Sequence, residues 1–147
     1  MPPPSTTALK NALVGQGFEI YRTVGNRIVL ADRVRDNLIM DSGVAAVGET
    51  PQAVRLTVRV QKTDFPGETD DQLYQHARRQ AEEAVARGYR EVEHVAVPVH
   101  DPGDKSRILD VWYEVTFEKA VDGEQGLFDE LRRALQMDKT ASPVGRR

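Results

Sequence analysis

The amino-acid sequence predicts a single α+β domain: a twisted, mostly antiparallel sheet of about five strands with helices packed mainly on one face. Two stretches carry most of that prediction. AVRLTVRVQK (53–62) and RILDVWYEVTFEK (107–119) alternate apolar and polar residues, the pattern of a strand that buries one face only. The strands also come in runs, not one for one with helices, which favours an antiparallel sheet covered on one side. The order reads α-β-β-β-α-β-β-α.

Each element has a local reason. Residues 1–7, MPPPSTT, read as a flexible proline-rich leader that cannot be helical before Thr6 or Thr7 supplies an N-cap. Leu9, Ala12 and Leu13 then share one side of a short helix stopped by Gly15 and Gly17. Residues 18–34 read as strands around a turn at Gly25-Asn26. For 32–47, a turn at Asp36-Asn37 followed by a strand, LIMDSGVAAV, is favoured over a short helix capped by Asp32, because such a helix lacks an apolar stripe.

In 53–62, Val54, Leu56, Val58 and Val60 face inward, and Arg55, Thr57, Arg59 and Gln61 outward. Thr69 and Gln72 form a capping box, with Asp70 and Asp71 in the first turn where the helix dipole favours negative charge. The helix continues to Arg87, burying Leu73, Ala77, Ala81, Ala84 and Val85, and ends at Gly88. REVEHVAVPVH (90–100) is a strand with Val95, Val97 and Val99 inward. A turn at DPGDKS leads into the strand carrying Trp112. A last helix bears Leu127, Phe128, Leu131, Ala134 and Leu135, and 138–147 reads as a flexible tail, so that the domain spans 8–137.

Composition narrows the function classes. The chain has 147 residues, with 20 Lys plus Arg against 23 Asp plus Glu, a formal net charge of −3. That balance argues against general nucleic-acid binding, which needs a basic stripe to displace counterions. No apolar run approaches the roughly 18 residues of a membrane span. The absence of cysteine excludes disulfides, thiolate metal sites and a cysteine nucleophile. A cytoplasmic location is expected, with no membrane partner and no cofactor. Motifs for nucleotide cradles, zinc proteases and serine hydrolases are not found.

Trp112, the single tryptophan, falls on the polar face of its strand, with Asp110, Glu114, Thr116 and Glu118. Folding 90–100 onto 107–119 so that all valines stay inward pairs Val99 with Leu109, Val97 with Val111 and Val95 with Tyr113. Glu114 then lies opposite His94, Trp112 opposite Ala96, and Asp110 opposite Pro98. If strand 53–62 is in the same sheet, Arg55 and Arg59 point to the same side. The candidate interaction face is therefore Trp112, His94, Glu114, Asp110, Arg55 and Arg59. Tryptophan and arginine concentrate at interface hot spots, and arginine can stack on the indole.

The expected function is a non-enzymatic protein-binding or regulatory module, homodimeric, with no catalytic or metal-ligating residues assigned. The alternative is a small enzyme or ligand-binding domain with a pocket near His94 and Arg59. The element order, size and mild acidity are also similar to those of the small acidic dimeric chaperones of type III secretion systems. That resemblance implies binding of unfolded segments of a partner protein.

Overall fold

The computed structural model describes residues 6–48 and 52–141; residues 1–5 of the expected leader and 142–147 of the expected tail lie outside them. The elements are α1 (Thr6–Gly15), β1 (Ile20–Val24), β2 (Arg27–Arg35), β3 (Leu38–Val47), β4 (Ala53–Gln61), a 3-10 turn (Lys62–Asp64), α2 (Asp70–Gln80), α3 (Glu82–Ala86), β5 (Arg90–Asp101), β6 (Asp104–Ala120) and α4 (Gly123–Leu135). The strands form a six-stranded sheet in the order β1-β2-β3-β4-β6-β5. The α+β class is as expected. The strand count is six, and four strands precede α2 where the expected order had three. Residues 32–47 complete the β2–β3 hairpin and are not helical; β3 is the LIMDSGVAAV strand.

The residues group into two compact units, neither of them contiguous: up to Leu56 with Glu118–Met137, and Thr57–Phe117 with the segment from Asp138. In the first unit, Gly25 takes φ +60° and turns β1 into β2, pairing Val24 with Arg27. Ile28 and Leu30 of β2, with Val44 and Ala46 of β3, are buried together with Leu9 and Leu13 of α1 and Leu127, Phe128 and Leu131 of α4. The Phe18 and Phe128 rings lie 6.2 Å apart. Burial fades along the β2–β3 hairpin, where Asp32–Arg35 and Leu38–Asp41 are all exposed. Buried Ser42 is satisfied by donating to the Leu30 carbonyl at 2.7 Å and accepting from the Val44 N–H at 3.1 Å. Buried Glu130 accepts from Lys119 at 3.2 Å and from Arg133 at 3.1 Å.

In the second unit, Val58 and Val60 of β4 and Tyr113, Val115 and Phe117 of β6 are buried with Leu73 and Ala77 of α2. The expected capping box is present: Thr69 Oγ1 accepts from the Gln72 N–H at 3.2 Å and Gln72 Oε1 accepts from the Thr69 N–H at 2.8 Å. The helix expected to run unbroken to Arg87 is interrupted at Ala81, and Val85, expected inside, is half exposed while Ala84 is buried. Gly88 closes it with φ +107°, and the Tyr89 N–H reaches back to the Ala84 carbonyl at 3.1 Å.

Residues 138–141, expected as the start of a loose tail, are tied to β4. The Arg59 N–H donates to the Lys139 carbonyl at 2.9 Å, and the Ala141 N–H donates to the Arg59 carbonyl at 3.0 Å. Thr140 thus sits beside Arg59 in a parallel bridge, and Ala141 is buried. The expectation read the polar composition of DKTASPVGRR and missed that β4 has an open edge to be closed. Unlike the inward Tyr113 and Val115, the expected inward residues Val95 and Val97 of β5 are 48% and 36% exposed.

Candidate functional site

Strand alternation sets up the site. Within the second unit, β6 turns Tyr113, Val115 and Phe117 toward the core and leaves Trp112, Glu114 and Thr116 half-buried on the other face. β4 alternates in the same way, so Thr57 and Arg59 point with them. Thr57 and Thr116 hydroxyls are 3.0 Å apart. Arg59 Nε donates to Glu114 Oε2 at 3.2 Å, and its guanidinium carbon stands 4.0 Å from the centre of the Trp112 ring. A guanidinium this close to an indole face is held by the ring quadrupole. Lys139 and Ala141 hold the Arg59 backbone on one side of its strand, so the side chain starts from a fixed point.

The expected face is therefore partly assembled. Arg59, Trp112 and Glu114 come together. Arg55 belongs to the first unit, where its Nε donates to Glu118 Oε1 at 2.9 Å. Asp110 has a supporting role: its carboxylate accepts the Thr63 N–H and hydroxyl, both at 3.1 Å, and pins the 3-10 turn to β6.

His94 is a correction. It does not meet Glu114. Its ring packs edge-on to Tyr74 of α2 at 4.9 Å, and Tyr74 in turn meets Tyr113 at 5.1 Å, so His94 stands on the Tyr113 side of the sheet. Its Nδ1 is 3.4 Å from Glu91 Oε2. The cause is the turn. β5 runs to Asp101 and β6 starts at Asp104, leaving Pro102 and Gly103 as a two-residue connection where a longer loop was expected. The tighter turn changes the pairing by an odd number of residues and exchanges the two faces of β5. His94 moves to the helix side, and Val95 and Val97 move to the Trp112 side. His94, beside Tyr74, and Arg59, over Trp112, therefore stand on different faces of the sheet.

Sequence reading missed the cluster on the helix side. Tyr113 Oη donates to Asp70 Oδ1 at 2.6 Å. Accepting that bond, the Asp70 carboxylate pushes the Tyr113 phenol up to about 12, and burial adds to the shift. Burial also raises Tyr74. Arg78 holds Glu91 through two hydrogen bonds, at 2.8 and 3.1 Å, and so lowers its carboxyl below the usual range. A signal did exist, since a buried tyrosine hydroxyl needs a partner and Asp70 opens the helix that covers Tyr113.

Chemically, the Trp112 face offers a paired guanidinium, a paired carboxylate and an indole. This is a surface for packing and hydrogen bonding. No helix among the described residues is long and apolar enough to cross a membrane. No protein-family model matches this chain, and no curated protein or solved structure shows significant similarity to it.

Proposed function

We propose that the protein is a non-enzymatic protein-binding or regulatory module that works through the outer sheet face around Trp112, with self-association as its simplest form. One observation carries this reading. Trp112, stacked under Arg59, lies on the sheet face away from α2 and on the same face as Ile108, which is 55% exposed. An aromatic–arginine pair beside exposed aliphatic residues is the usual make-up of an interface centre. The chaperone-like alternative loses its main support, because four strands precede α2 and not three.

The test is iodide quenching of Trp112 fluorescence together with light scattering, on wild type and Trp112→Ala. The expected result is an associated wild type with a shielded indole and a folded, dissociated variant. A monomeric wild type with a shielded indole, and a variant that only loses stability, would make Trp112 ordinary core and overturn the reading.

A further inference from the structure

β5 ends the strand order, so one of its backbone edges meets β6 and the other meets no strand among the described residues. Pro102 and Gly103 join Asp101 directly to Asp104, and a two-residue connection makes its flanking residues a hydrogen-bonded pair. Counting back from Asp101, the odd-numbered residues of β5 bond to β6. The even-numbered Arg90, Val92, His94, Ala96 and His100 turn N–H and C=O outward. Pro98 falls in the outward set, where its missing N–H costs the β6 ladder nothing. The same register turns the Val111 N–H away from β5, and its own Asp110 carboxylate accepts it at 2.7 Å.

This open edge also carries exposed apolar side chains, Val92, Val95 and Val97. What completes such an edge is another extended strand, through main-chain hydrogen bonds. The sheet's other edge strand, β1, has 5 residues and an irregular register between Ile20 and Arg22, a poor match for the 12 residues of β5. A second β5 matches in length. Two copies of one strand pair antiparallel about a two-fold axis, which closes the assembly at a dimer. With the axis on His94, two imidazoles would face each other. With the axis on Val95, valine faces valine, His94 faces Ala96 and Val92 faces Pro98, and His94 and Ala96 exchange backbone hydrogen bonds in both directions. Arg90 then meets His100, whose Nδ1 already lies 2.9 Å from the Lys105 carbonyl oxygen.

We propose that the protein forms a two-fold dimer by joining the β5 edges of two copies, with Val95 at the axis, so that two sheets become one. The contact presupposes that the protein self-associates, as in the reading of the Trp112 face, and names the surface that does it.

Sedimentation velocity over rising protein concentration tests the edge, on wild type, Ala96→Pro and Trp112→Ala. Circular dichroism checks that each is folded. Proline at position 96 removes an outward N–H and leaves the β6 ladder intact. The expected result is a wild-type dimer and at least tenfold weaker association in Ala96→Pro. Mild oxidation of single-cysteine variants tests the axis independently, because the chain has no cysteine of its own. A non-hydrogen-bonded pair at the axis has Cα atoms roughly 4.5 Å apart, within disulfide reach. Val95→Cys is therefore expected to cross-link into a dimer, and the equally accessible Val97→Cys, four residues from its own copy, is not. Cross-linking of both to the same extent, or of His94→Cys in preference to Val95→Cys, overturns the proposal. So does a monomeric wild type, which would leave the edge to another protein's strand. A dimer that survives Ala96→Pro and is lost only in Trp112→Ala overturns the edge contact and keeps the Trp112 reading. A dimer that is lost in Ala96→Pro, cross-links through Val95→Cys and persists in Trp112→Ala supports the edge contact and overturns the Trp112 reading.

Discussion

Arg59 has more than one task at a single position, since its guanidinium covers Trp112 and meets Glu114 while its backbone binds residues 139 and 141. Arg59→Gln keeps the backbone bonds and removes the stack. It is expected to cost about 1 kcal/mol in urea unfolding, the scale of a partly exposed cation–π and ion-pair contact, and to shift Trp112 emission to longer wavelength. Tyr113 supplies a pH prediction. Its phenol is raised from 10.0 to about 12 in the folded protein, so folding favours the protonated form. That contribution is complete below the ordinary tyrosine value and is lost as pH climbs through the 10–12 window. Urea midpoints measured across that window should fall in wild type and fall less in Tyr113→Phe, with the raised Tyr74 contributing to the slope that remains. At this scale the sequence identified Trp112, Arg59 and Glu114 from alternation alone. It could not place His94, because the partner of a strand residue depends on a turn several residues away.

Elements were legible where a local signal is self-contained. The Thr69–Gln72 box needs only its own turn, and Thr69→Ala should lower stability by about 1 kcal/mol in chemical denaturation, with Thr69→Ser near neutral. The β2–β3 hairpin was chosen over a helix because 32–47 has no helical stripe, and β3 covers LIMDSGVAAV. The β5–β6 hairpin was located but its faces were exchanged. The assumption that every valine must be buried selected a longer turn, whereas Pro102-Gly103 closes the chain directly between Asp101 and Asp104. Valine in a strand is a statement about backbone preference as much as about burial. The interruption at Ala81 had no sequence signal, since alanine is the strongest helix former.

For the whole molecule, the α+β class followed from the strand pattern, but the two discontinuous units did not, because contacts between distant stretches leave no periodicity to read. Hydrogen exchange measures how protection is distributed. Amides of Val58, Val60 and Val115 are expected to exchange orders of magnitude more slowly than those of Val34, Ile39, Ile108 and Leu109, whose side chains are exposed. Equal protection in both sets would mean that the hairpin ends are covered in solution. The bridge between Arg59 and Thr140 has a bearing on biosynthesis. Translation adds about 5–20 residues per second, and Arg59 waits for a neighbour made roughly eighty residues later. For several seconds the Arg59 edge of the nascent chain lacks that neighbour, and a valine-rich strand with an open backbone edge is the kind of segment that pairs with the wrong chain. In the cell this stretch is therefore expected to be a point of chaperone engagement on the ribosome, until Lys139 and Ala141 arrive to close it.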